Sequence, residues 1–178
     1  MRLIFFLFSC LLANISTLLY AQCGSSARFQ QQVFANITVT KDITYGSADR
    51  YDILGINNPQ PIKLDFYAPQ GDTMQRRPLV ILFFGGGFTL GDKGDADMKA
   101  WCDSLAHYGY AAASVNYRLG YSQLSGKSAV RATYRAVQDA RAAVRFLKEK
   151  YAQYAIDTNK ITVQDKTFKK VYYKNKFD

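Results

Sequence analysis

"RPLVILFFGGGFTLGD", residues Arg77–Asp92, sets an unbroken apolar run, Leu79 to Phe84, directly against three glycines and a further phenylalanine. The run shows no polar-apolar alternation, so both faces of a strand built from it must be covered, as in a parallel sheet flanked by helices. The glycines carry no Cβ and let the backbone come close to whatever lies opposite. Ligands of such sheets sit at the carboxyl ends of the strands, and that is where this loop begins.

The flanking sequence extends the same pattern. "ANITVTKDITYG" (Ala35 to Gly46) and "IKLDFYAP" (Ile62 to Pro69) alternate as antiparallel strands do, with Ile62, Leu64 and Phe66 on one face and Pro69 as a stop. Past the glycines, Met98, Trp101, Cys102 and Leu105 recur at helical spacing, behind acidic Asp95 and Asp97 and ahead of Gly109. "YAAASVNY" (Tyr110 to Tyr117) reads as a second buried strand. Ser128 opens a long helix with an expected core stripe of Val130, Tyr134, Val137, Val144, Leu147 and Tyr151, and "KITV" (Lys160 to Val163) is a third apolar strand. The order predicts an α/β fold, with N-terminal antiparallel strands leading into a parallel sheet with flanking helices.

The opening "MRLIFFLFSCLLANISTLLYAQ" has a basic residue, Arg2, an apolar stretch and a small residue at Ala21. This is the pattern of a secretory signal peptide over residues 1–21, with export to the periplasm or the exterior. Asn14, Ser16 and Thr17 interrupt the apolar run, so no stable membrane insertion is expected. Removal of that segment takes Cys10 and leaves Cys23 and Cys102, which either form a disulfide or remain as a terminal thiol and a buried one.

The formal charge of +9 is concentrated in two places. One is the tail, with Lys166, Lys169, Lys170, Lys174 and Lys176; the other is the long helix, with Arg131, Arg135, Arg141, Arg145 and Lys148. The helix reads as a solvated face with Arg135–Asp139 and Arg145–Glu149 pairs, so no nucleic-acid partner is expected. No cluster of metal-ligating residues is apparent, and no cofactor is implied.

The glycines fit neither nucleotide pattern. From Gly85 the sixth position of a G-x-G-x-x-G fingerprint is Leu90, and no lysine completes a G-x-x-x-x-G-K-[ST] loop. The well-defined use that remains is an oxyanion hole, whose N–H groups face the negative oxygen that develops when an acyl carbonyl is attacked.

Five segments in order carry a resemblance: "DFYAP" (Asp65 to Pro69), "RPLVILFFGGGF" (Arg77 to Phe88), "GYAAASVNYRLG" (Gly109 to Gly120), "VQDARAAVRFLKE" (Val137 to Glu149) and "YAIDTNKITV" (Tyr154 to Val163). Together they resemble the N-terminal half of secreted α/β-hydrolase carboxylesterases related to the hormone-sensitive-lipase group. The resemblance implies an incomplete α/β-hydrolase fold, a small-molecule ester substrate, an oxyanion hole at Gly85, Gly86 and Gly87, and a substrate contact at Phe88. The family motif reads H-G-G-G-F. Here Phe84 stands where the family has His, and it lacks that residue's polar bracing contacts.

A site of this kind also needs a G-x-S-x-G serine directly after "NKITV", then an acid and a His. No G-x-S-x-G occurs in the sequence; there is no glycine from Lys127 onward and no serine after Ser128. Thr167 lacks the flanking glycines, the single His107 ends a helix, and Asp139 reads as a partner of Arg135 or a buried contact rather than a triad acid. No catalytic residue is therefore assigned. Residues 164–178 are rich in Lys and Tyr without any period, as out-of-frame translation would leave them, against a hydrolase half at residues 22–163. The expectation is a truncated esterase, inactive alone. The alternatives are a non-catalytic secreted ligand-binding protein, or one half of a two-chain esterase with a separate C-terminal half.

Overall fold

The computed structural model describes residues 27–51, 57–121 and 128–166. The expected signal peptide, Cys10, Cys23, Thr167 and the tail beyond Lys166 lie outside the described residues. Strands β1 (Ile37–Tyr51) and β2 (Asn57–Pro69) form the antiparallel hairpin expected from their alternation. Its register shifts between Thr40 and Ile43, where Asp42 takes a left-handed backbone with φ of 58°. Strands β3 (Arg77–Phe83), β4 (Ala111–Val115) and β5 (Ile156–Asp165) run parallel, with β3 between the other two, and β4 pairs with β2 in antiparallel fashion. The sheet order is β1-β2-β4-β3-β5. Antiparallel strands thus lead into a parallel sheet, as the sequence predicts.

The core sits on the central strands. Leu79, Ile81, Leu82 and Phe83 of β3 are buried, as is every residue of β4. The small side chains of Ala111, Ala112, Ala113 and Ser114 let neighbouring layers approach β4 closely. On β2, Ile62, Leu64 and Phe66 are buried as expected, but so are Asp65 and Tyr67 on the other face, because that face is covered too.

Helix α1 (Ala96–His107) packs on β2 and β4 through Met98, Cys102 and Ala106. Trp101 departs from the expected stripe and is 52% exposed. Helix α2 (Ser128–Glu149) departs further: Val130, Tyr134 and Val137 are exposed, as is Tyr151 in the short α3 (Tyr151–Tyr154). The buried stripe of α2 is instead Ser128, Ala132, Asp139, Ala143 and Leu147, with Ala136, Ala140 and Val144 half-buried beside it. Alanines at this spacing let the helix lie close to the sheet, so Val130, Tyr134 and Val137 are turned outward, while Leu147 and Val144 of the expected stripe do face the core. β5 runs to Asp165, two residues past the expected strand end, and is an edge strand among the described residues.

Candidate functional site

The glycine loop leaves the carboxyl end of β3, between the ends of β4 and β5. Its turn is closed at one carbonyl. Gly86 O accepts the N–H groups of Thr89 (3.1 Å) and Leu90 (3.4 Å) and the Thr89 hydroxyl (2.7 Å). Gly86 has φ of 130°, and a Cβ there would lie 2.0 Å from Leu90 O, so only glycine fits. Phe88 is held at φ of 63°, a conformation costing a side chain about 1–3 kcal/mol, and its carbonyl accepts Gly120 N–H (2.9 Å) and Tyr121 N–H (3.1 Å). Among the described residues, the N–H groups of Gly85, Gly86 and Gly87 donate to no acceptor.

Phe84 takes a structural part that its sequence position conceals. It is 2% exposed, its ring stacks on Tyr117 at 4.4 Å, and its carbonyl accepts the Tyr117 hydroxyl at 2.9 Å. Gly91 closes over it: a Cβ on Gly91 would meet the Phe84 ring at 2.3 Å. Phe88, half-buried, meets the same Tyr117 edge-on at 6.0 Å. Aromatic packing and one tyrosine hydroxyl thus brace the loop, where the sequence suggested that bracing would be lost.

Two buried ion pairs hold the neighbouring segments. Asp139 is 3% exposed and accepts Arg118 through Nε (2.9 Å), Nη2 (2.7 Å) and the backbone N–H (2.9 Å). The buried contact expected of Asp139 is therefore made with Arg118, which ties the segment after β4 to α2. Asp65 and Lys93 form the second pair, with Nζ 2.7 Å from Oδ1. Nothing local in the sequence pointed to this pair, because its partners lie 28 residues apart.

The other candidate residues lie away from the loop or carry different chemistry. His107 ends α1 with Nδ1 2.9 Å from Asp103 O, a helix-end position as expected. Cys102 is fully buried with a free thiol, and burial, followed by the charges of Asp65 and Asp103, pushes that thiol up to about 12. At the end of β5, Lys166 comes beside the glycines: its N–H donates to Phe83 O (3.1 Å), its aliphatic carbons lie 3.7 Å from a Cβ built on Gly85, and its ammonium pairs with Asp97. Leu82, Phe83, Met98, Trp101, Gln164 and this ion pair line a small, open groove. No group of metal-ligating residues occurs among the described residues, and none of their helices is long and apolar enough to cross a membrane.

The BD-FAE family model matches residues 64–165, from β2 through the end of β5. No curated protein matches the chain. Among solved structures, the chain is similar to a thermophilic esterase of the planctomycete Thermogutta terrifontis, at 24% identity and a TM-score of 0.52, over 70% of this chain and 39% of that one. The same esterase phosphorylated by paraoxon gives a TM-score of 0.54 at 24% identity, over 74% of this chain and 44% of that one. A hyperthermophilic esterase of the archaeon Pyrobaculum calidifontis has 24% identity and a TM-score of 0.49, over 77% of this chain and 36% of that one. The chain thus spans about two fifths of the length of these esterases, and the shared architecture is a partial α/β-hydrolase fold. With the family match covering its three parallel strands, its glycine loop and both long helices, the chain belongs to the BD-FAE family.

Proposed function

We propose that these residues form the oxyanion-hole half of a carboxylic-ester hydrolase acting on small-molecule esters, of the secreted, hormone-sensitive-lipase-related kind. The observation that carries the reading is the turn at Gly86, which excludes a side chain at that position: among the described residues, the N–H groups of Gly85 to Gly87 lie at the carboxyl ends of parallel strands without acceptors. Such N–H groups favour an oxyanion over a neutral carbonyl and stabilise the tetrahedral intermediate of acyl transfer. Phe88 beside them supplies an apolar contact for the acyl or alcohol group.

The nucleophile is the missing part. The sequence has no G-x-S-x-G, and the residue beside Gly85 at the end of β5 is Lys166. In this reading the 178-residue chain forms no acyl-enzyme by itself. The test is hydrolysis of p-nitrophenyl acetate by the purified chain, with no turnover expected above buffer. Turnover abolished by substituting one residue of this chain would overturn the inactive assignment. A C-terminal esterase half supplied as a separate polypeptide, restoring turnover on mixing, would establish the two-chain arrangement instead. The groove beneath exposed Trp101 favours a second reading, a non-catalytic ligand-binding protein, for which saturable quenching of Trp101 by a ligand is the check.

A further inference from the structure

Lys93, the first residue after the glycine loop and Asp92, makes more specific contacts than a surface lysine needs. It is 8% exposed, and Nζ lies 2.7 Å from Asp65 Oδ1 on β2 and 3.3 Å from Asp42 Oδ1 on β1. Asp42 N–H donates to the same Asp65 oxygen at 2.8 Å, which uses the left-handed turn of the β1 irregularity. The backbone of Lys93 is tied as well: its N–H donates to Asn116 Oδ1 (2.6 Å) and its carbonyl accepts the Ser114 hydroxyl (2.8 Å). Asn116 Nδ2 in turn donates to Asp92 Oδ2 at 2.8 Å. One residue thereby joins the root of the loop to β1, β2 and β4.

Stability alone does not explain such a pair. The cost of desolvating both charges cancels most of their attraction, so an apolar pair of similar volume stabilises a core as well or better. A buried pair with directed hydrogen bonds does fix one arrangement of the chain. Here the arrangement is that of the segment on which Gly86 and Gly87 are mounted. One end of the loop is continuous with β3 and its middle is tied at the Phe88 carbonyl, so Lys93 fixes the far end that a defined loop shape also requires.

We propose that Lys93, acting through Asp65 and Asp42, is a positioning residue that holds the glycine loop in the shape that presents its free N–H groups. The proposal rests on the oxyanion-hole reading for its purpose, but its physical content is measurable without it.

Amide hydrogen exchange on the full-length, ¹⁵N-labelled chain tests the idea at Thr89 and Gly120, whose N–H groups close the loop, with Ile81 and Ala113 in the strands as the reference. Lys93→Met leaves Asp65 as a buried unpaired charge, so Lys93→Met combined with Asp65→Asn is measured beside it. In the double variant the loop amides exchange about tenfold faster or more while the strand amides keep their protection. Loop amides that exchange as slowly as before, or loop and strands that loosen together, would overturn the proposal.

A parallel titration with acetate, read at the Gly86 and Gly87 amides, separates this claim from the reading beneath it. A saturable shift in the unsubstituted chain, weakened about tenfold in the double variant, supports both. No shift in the unsubstituted chain removes the oxyanion reading, while the exchange result still decides the role of Lys93.

Discussion

The hydroxyl of Tyr117 donates to the carbonyl of Phe84 at 2.9 Å while the two rings stack at an interplanar angle of 14°. A residue just past the end of β3 and one just past the end of β4 are thus locked by a polar and an apolar contact at once, directly beneath the glycine loop. Tyr117→Phe keeps the stack and orphans a buried carbonyl, for an expected loss of about 1–3 kcal/mol. Phe84→Ala removes the stack itself and costs about 3–5 kcal/mol. Urea unfolding of the two variants gives this order, and a larger loss from Tyr117→Phe would contradict it.

Adjacent glycines of the loop respond differently to the same change. Gly86→Ala drives a methyl group onto the Leu90 carbonyl and forces the turn to open, whereas a Cβ at Gly87 meets nothing within 4 Å. Gly87→Ala bears only the left-handed backbone cost at φ of 60°, about 1–2 kcal/mol. The thermal midpoint falls further for Gly86→Ala. Equal midpoints would mean that the turn reshapes freely.

Asp139→Ala leaves the Arg118 guanidinium, with 15% of its side chain exposed, without its carboxylate. Loss of one partner of a buried pair costs about 3–5 kcal/mol, and removal of both recovers much of it. A double-mutant cycle with Arg118→Met measures the difference; additive losses would argue against a coupled pair.

Acid acts on a different cluster. The hydrogen bonds of Arg28, against the opposing effect of burial, and then those of Arg77, hold the Asp72 carboxyl well below its ordinary value of 3.8. A depressed carboxyl stabilises the folded chain above its ordinary value, and that contribution is lost as the pH falls. From about pH 5 downward the unsubstituted chain therefore loses stability more steeply than Asp72→Asn. Parallel curves would show that Asp72 has no part in acid unfolding.

Alkali acts on Cys102. With its thiol pushed from 9.0 up to about 12, the folded state favours the neutral form. That contribution is complete below pH 9.0 and is lost as the pH rises toward about 12. At about pH 8 the folded chain leaves Cys102 unreactive toward Ellman's reagent, and guanidinium exposes it. Absence of any reaction in guanidinium without reductant would instead reveal a bridge to Cys23.

The sequence by itself determined the order and class of the elements. An unbroken apolar run such as Leu79 to Phe84 tolerates only a doubly covered strand, Pro69 stops β2, and three glycines after a strand leave few roles for a loop. These are local constraints, legible wherever they occur. The tertiary structure decided which face of α2 is buried, because Ala132, Ala136 and Ala143 carry little hydrophobic signal yet allow the closest approach to the sheet, while Val130, Tyr134 and Val137 carry a strong signal and face outward. It also decided what holds the loop. The partners of Phe84, Lys93 and Asp139 are Tyr117, Asp65 and Arg118, each remote in sequence, and no periodicity encodes a contact made only when distant strands and helices are brought together.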